Sequence, residues 1–454
     1  MIGRGGRGRG SVAGALAITF AASLAGSMAW RAHTAARTKE ARDAAKAHDV
    51  TDAPPAPVTY ESAVKELGAR RAQAEKMATL GERVGSRWAA AANVEMTYAR
   101  LTGDYDAYAR ADSSLAEAFR LARTYVDDDG VGPLLLKAQL DYELHRLRPA
   151  LAALDVPEKS ATFFGDTAKL AEIAALRGAI TFSLGEYDAG IALLRKAVSL
   201  GSNPSHSQRL ALALDRVGET DEAMRLFEAS ERTIAEPRAR AWIALQRGRM
   251  AFERGRRADA RRHYETARAL FPGFWQVDEH LAELDALEGH TERAVASYRS
   301  LVARTDDPEF MDALAELVKS SAPEEAARLA ERSRELYEKR LRTLPEASYG
   351  HALEHFLRHE RDGARALDIA TKNVALRPDG EARTRLAQAY VRVGRLAEAK
   401  AEIRAVTSSR WQSAASWATS ALVHRRLGDV AEAETSERRA VAMHPFAMAE
   451  LDWL

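Results

Sequence analysis

From Tyr60 onward, apolar residues recur at spacings of three and four, and no stretch alternates apolar with polar at every second position. The first spacing lays one side of a 3.6-residue helix against a core. The second would mark a half-buried strand. The pattern therefore predicts helices and no strand. Breakers interrupt it on a beat. Prolines stand at 204, 237, 272, 308, 345, 378 and 445, with gaps of 33, 35, 36, 37, 33 and 67, the last being two periods. Glycines fall between the apolar stretches at 185, 218, 255, 289, 394 and 428. Small residues keep the same time at Gly190, Ala223, Ala260, Ala294, Ala326, Ala366, Ala399 and Ala433.

One period of about 34 residues thus carries three residue types, each with a physical task. The glycine permits a tight turn between two antiparallel helices. The small residue five positions on lets the second helix approach the first closely. The proline stops that helix and starts the next unit.

This beat resembles the tetratricopeptide repeat (TPR), of the bacterial exported or membrane-anchored type. The matching segments run from Gly185-Glu186-Tyr187-Asp188-Ala189-Gly190 to Pro204, from Gly255 through Ala260, Tyr264 and Ala267 to Pro272, and from Gly428 through Ala433 and Ala440 to Pro445. Trp417 stands where that family places its large first-helix residue. Gly178 and Gly248 fit its small first-helix position, and Leu194, Phe227, Tyr264 and Tyr298 its packing position in the second helix. Gly103-Asp104-Tyr105-Asp106 is an earlier, degenerate copy. The resemblance covers about residues 86–450. It implies an all-α fold, a right-handed α-solenoid of antiparallel helix hairpins (a TPR superhelix), with residues 59–170 a degenerate N-terminal helical region and 171–454 a regular array. About 395 residues would allow eleven or twelve units. Three places depart from the pattern: residues 130–170, with helical stretches at Leu134–Leu147 and Pro149–Leu154; an overlong second helix at Pro323–Leu344; and an extra residue in the loop His359–Gly363.

In that family, first helices line a concave groove that binds an extended or helical segment of another protein. Projected onto the repeat register, the groove residues are Glu172, Gln208, Asp215, Arg216, Trp242, Arg249, Glu253, Gln276, Glu279 and Glu283 in the middle, and Gln388, Arg392, Arg425 and Arg426 toward the C-terminal end. The run 276–283 is acidic and the later set basic. The basic end is expected to take an acidic partner segment or a free carboxylate, because arginine forks pair with carboxylates. Phe271-Pro272-Gly273-Phe274-Trp275 is either a docking hot spot or inter-repeat packing.

The first 58 residues differ in kind. Arg4, Arg7 and Arg9 precede a charge-free stretch from Ser11 to Trp30, and Ser27-Met28-Ala29 offers small residues for cleavage. Residues 1–30 read as a secretory signal or an uncleaved membrane anchor. Residues 31–58, Ala-rich and charged and ending near Pro54-Pro55-Ala56-Pro57, read as a flexible spacer. The expected location is the periplasm or cell envelope.

Composition narrows the chemistry. The 454 residues carry 66 Lys+Arg and 65 Asp+Glu, a net charge of +1, which argues against a nucleic-acid binder. With no cysteine there is no disulfide, thiolate metal site or catalytic thiol. No phosphate loop, dinucleotide fingerprint or G-x-S-x-G is present. One constellation looks chemical. His351, His355 and His359 stand at i, i+4 and i+8, which shares one helix face, and His351-Ala352-Leu353-Glu354-His355 matches the H-x-x-E-H order of inverted zinc peptidases. A metal-dependent hydrolase using His351, Glu354 and His355 is the alternative to the leading expectation, a non-catalytic scaffold that binds protein or peptide segments without a cofactor.

Overall fold

The computed structural model describes residues 58–80, 84–122, 131–201 and 203–454. Residues 1–57, where the signal or anchor and the spacer are expected, lie outside them. Among the described residues every regular element is helical. They are α1 (Tyr60–Thr79), α2 (Gly85–Thr102), α3 (Tyr105–Ala122), α4 (Val131–Glu143), α5 (Leu147–Ala153), α6 (Asp155–Phe164), α7 (Thr167–Ser183), α8 (Tyr187–Leu200), α9 (Pro204–Arg216), α10 (Thr220–Thr233) and α11 (Pro237–Phe252). There follow α12 (Arg257–Leu270), α13 (Trp275–Leu287), α14 (Thr291–Thr305), α15 (Pro308–Val318), α16 (Pro323–Thr343), α17 (Pro345–Glu354), α18 (Gly363–Leu376), α19 (Gly380–Arg392), α20 (Leu396–Thr407), α21 (Ala414–Leu427) and α22 (Val430–Met443). None of these helices is long and apolar enough to cross a membrane.

They pair as antiparallel hairpins of the tetratricopeptide type: α2/α3, α4 with the broken α5–α6, then α7/α8 and so on to α21/α22, with α1 packed on α2. That is ten hairpins rather than eleven or twelve. The helix α1 and residues 444–454 belong to no hairpin, and the 21-residue α16 lengthens its own unit.

The beat works as its chemistry requires, with one refinement. Its prolines open helices rather than merely ending them: Pro204, Pro237, Pro308 and Pro345 stand in the first turn of α9, α11, α15 and α17. There the missing N–H costs nothing, and a preceding Asn203, Glu236 or Asp307 side chain accepts from the free amides. The small residues sit where helices touch. Tyr264, fully buried, lies flat over Gly248, and Phe227, Leu194 and Tyr298 fill the same layer in their repeats. The cores form a series of clusters along the array, and two of them also join distant hairpins.

What the repeat pattern does not contain is the next level. The solenoid winds until its later hairpins lean on its earlier ones. Gly185 (φ 86°) and Gly255 (φ 68°) turn in the left-handed region, and each is pressed against the next superhelical turn. A Cβ on Gly185 would lie 3.2 Å from Pro378 O, and one on Gly255 2.8 Å from Pro445 Cδ. Gly380 N donates to Tyr187 Oη at 2.9 Å, and Gln412 N to Arg216 O at 2.8 Å. Trp411 packs on Phe182 and Tyr187, while Arg410 reaches Asp188 at 2.6 Å and Glu219 at 2.7 Å. Nearer the N-terminal side, Tyr60 N donates to Pro272 O at 3.0 Å and Trp275 Nε1 to Leu101 O at 2.9 Å.

Candidate partner-binding channel

Closure brings first helices from both superhelical turns face to face. On α19, Glu381 and Arg385 stand one helical turn apart, as do Thr384 and Gln388, so both pairs point the same way. Across from them are Asp215 and Arg216 at the end of α9, and Arg249 and Glu253 at the end of α11. Together these residues line an interior cavity of about 690 Å³, walled on a third side by Trp411–Ala415 and by His444 and Glu450. A second cavity of about 250 Å³ shares Asp215, Arg216, Arg249 and Glu253 and continues along α7 and α9.

Several guanidinium groups stand in a wall that also carries Phe252, Trp411 and Met443. Arg216 forks onto Glu253 at 2.7 and 3.0 Å. Arg254 holds Asp215 and Thr220, each at 2.5 Å. Arg385 reaches Gln388 at 3.1 Å and Glu354 at 3.0 Å. Gln388 is fully buried and donates to Thr419 at 2.9 Å, so its part is to hold α19 against α21. The Arg249 guanidinium, exposed to the cavity, makes no hydrogen bond or ion pair among the described residues. Enclosure would raise the Glu381 carboxyl, but Arg377, Arg216, Arg385 and Arg249 together pull it down to about 2. Arg216 is already committed to Glu253 and Arg385 to Glu354, which leaves Arg249 as the guanidinium in the cavity wall without an ion pair among the described residues.

A separate acidic group stands on α13. Glu279, His280 and Glu283 each offer a ligand atom within 4.8 Å of the others, which makes them the group best placed for a cation among the described residues. Their geometry is already satisfied by a proton. His280 Nδ1 lies 2.9 Å from Glu279 and 3.5 Å from Glu283, with its ring stacked on Tyr264 at 5.1 Å. Burial alone would lower the imidazole; Glu279, then Glu283, overcome it and raise it to about 10. Burial likewise pushes the Glu279 carboxyl up against the pull of His280. The folded His280 value exceeds the ordinary 6.5, so its stabilisation is complete below about pH 6.5 and disappears as pH climbs through about 10. His280→Gln should therefore flatten the fall of the unfolding midpoint over that window. An NMR titration placing the His280 midpoint near 6.5 would refute the paired imidazolium. Glu309 and His351 form a further pair, 3.5 Å apart.

The three histidines do not present one open face, although the His355 and His359 rings stack 6.3 Å apart. The extra residue expected in the loop is absorbed one turn earlier, as a π-helical turn over His355–His359, where Glu360 N bonds to His355 O at 3.1 Å, and by Arg361 at φ 58°. His351 is exposed and faces Glu309; His355 is 1 % exposed and turned into the core; His359 is exposed again. Glu354 is held by Arg358 and Arg385. His351, Glu354 and His355 therefore present no common point to a metal, and the zinc-hydrolase alternative loses its geometry. His355 does meet Asp312 at 2.9 Å and Ser333 at 3.4 Å, but both through Nδ1. A nucleophile relay needs the two partners on opposite nitrogens, so this is a buried polar knot.

The remaining projected residues scatter. Glu172 accepts from Gln139 at 2.8 Å, Gln208 and Gln276 are half-buried on α9 and α13, and Trp242 packs edge-on against Phe227 within a core cluster. Phe271 and Phe274 are buried against Tyr60, so the aromatic run is packing rather than an open docking patch. Arg425 pairs with Glu437 on its own hairpin. Arg392 and Arg426 donate to the backbone carbonyls of Trp453 at 3.2 Å and Leu454 at 2.9 Å. Sequence reasoning missed Glu381, Arg385 and Trp411. The first two share the face of Gln388 and were within reach of the same register. Trp411 lies between repeats, where no local pattern marks it.

No family model matches this chain, and no curated protein does. Among solved structures it is similar to a Rap protein complexed with Competence and Sporulation Factor, at 12% identity and TM-score 0.45 over 82% of this chain and 97% of that one. It is similar also to a human IFIT1 dimer with PPP-AAAA, at 14% and 0.40 over 83% and 94%, and to a tetratricopeptide repeat protein from Parabacteroides merdae, at 17% and 0.33 over 54% and 94%. Scores this low decide nothing about function.

Proposed function

We propose that this chain is a non-catalytic binding scaffold of the cell envelope, which holds a segment of a partner protein inside its superhelix. The observation that carries this reading is the cavity of about 690 Å³ between two superhelical turns, into whose wall Arg249 brings a guanidinium without a partner among the described residues. A cavity with fixed charges on its walls and no nucleophile–base pair in it suits recognition better than chemistry. Positive charge around Glu381 favours a segment bearing carboxylates. The envelope location rests on the basic and then apolar order of residues 1–30.

A photo-reactive residue at Gln412, in the cavity wall, should cross-link the partner in cells and identify it. The isolated partner should then bind the Arg249→Glu/Arg385→Glu chain at least tenfold more weakly, a loss of about 1.4 kcal/mol or more. Equal affinity for both chains would remove the cavity as the binding site.

A further inference from the structure

The arginines that the repeat register offers to a partner already hold one. After α22 the chain turns at His444 and runs back across the first helices of the last three hairpins. His444 Nδ1 accepts from Phe446 N at 3.2 Å, which fixes the turn, and His444 Nε2 lies 3.5 Å from Glu450. Ala447 and Leu451 are buried beside Trp417 and Ala418 of α21. Trp453 lies against α17, α19 and α21 clusters, with the Arg358 guanidinium 5.6 Å from its ring. Arg392 of α19 then donates to Trp453 O at 3.2 Å, and Arg426 of α21 to Leu454 O at 2.9 Å.

This is how a bound peptide is held: apolar anchors in pockets, main-chain oxygens read by fixed donors, acidic residues among cations. Glu450 and Asp452 flank the anchors, and Arg257, Arg358, Arg392 and Arg426 surround them. Glu450 also walls the 690 Å³ cavity, so lifting this segment would widen it.

We infer that the first-helix face of α17, α19 and α21 is a peptide-binding seat, filled in cis by residues 445–454, and that its ligand in trans is an acidic segment with an aromatic anchor. The inference rests on the scaffold reading and names the chemistry of its partner. A cis ligand competes at an effective concentration on the order of millimolar, so only a segment that binds better than the tail, or arrives in excess, displaces it.

The probe is a fluorescent peptide of this chain's own residues 444–454, HPFAMAELDWL. The full wild-type chain should bind it weakly. The full-length Trp453→Ala chain, with its own anchor gone, should bind it at least tenfold more tightly, and adding Arg392→Ala and Arg426→Ala should abolish that gain. A folded Trp453→Ala chain showing no gain, or a gain that survives loss of both arginines, overturns the seat. The wild-type chain supplies an independent reading. Excess unlabelled peptide should accelerate chymotryptic cleavage at Phe446 by freeing the tail, and an unchanged rate overturns the inference even if Trp453→Ala fails to fold. Should the peptide fail while Arg249→Glu/Arg385→Glu still loses the partner, only the occupied seat falls.

Discussion

A Gly190→Val chain is expected to lose the α7/α8 hairpin at denaturant concentrations where the rest of the solenoid still stands. Gly190 crosses α7 so closely that a Cβ would sit 2.7 Å from Phe182 N and 2.9 Å from Gly178 O. Those neighbours are backbone and cannot swing aside. A Cβ on Gly178 would in return sit 2.9 Å from Gly190 O and Leu194 N, so the crossing is tight from both sides. The helices must part, exposing Leu194 and Ile180 from the buried layer. The cost is about 3 kcal/mol, the upper end for overpacking. In a stacked array such a loss is felt locally first, because each repeat is held by its neighbours. Hydrogen exchange in α7 and α8 should therefore accelerate before that of α21. Unchanged protection of both helices would show that the hairpin is not so closely packed.

Trp411→Ala should cost about 3–5 kcal/mol and also change the shape of the molecule. Trp411 is 5 % exposed, rests on Phe182 and Tyr187 of the preceding superhelical turn, and lies under the Arg216 guanidinium at 5.7 Å. It touches its own turn through Gly380, whose Cβ would meet the indole at 2.2 Å. One side chain thus joins α7–α8 to α19–α21. Its removal leaves a void between turns, and the ion pairs of Arg410 beside it are too exposed to close the gap alone. The radius of gyration measured by small-angle scattering should rise, and exchange should quicken in α8 and α19 together. Trp411→Phe should keep most of the contact, since the indole nitrogen is buried without a partner and its loss forfeits no bond. A chain whose dimensions are unaffected by Trp411→Ala would mean that the turns do not lean on each other.

The histidine run shows where reading by spacing fails. The positions 351, 355 and 359 share a face only on an unbroken α-helix. The extra residue before Gly363 was visible in the repeat count, but not where the backbone would take it up. It is taken up beneath the histidines themselves, as a π turn that starts at His355, while His355 lies in the core beside Asp312. Arg392 and Arg426 show the complementary case. Their place on first helices was legible. That the chain's own last residues lie there was not, because Ala449–Leu451 and Trp453 carry no repeat signature.

Local order in this protein was written in its residues alone. Turn glycine, crossing glycine or alanine and opening proline act within about 34 positions, and each constrains only the helix beside it, so their spacing determined the hairpins and the stacking of neighbours. The cavity, the junction at Trp411 and the seat of the tail belong to tertiary structure. They join residues such as Tyr187 and Gly380, or Gly255 and Pro445, which meet only after the small rotation of every intervening hairpin has been summed. No short pattern encodes that sum, because each repeat contributes to it through the shape of its packing rather than through any one residue type.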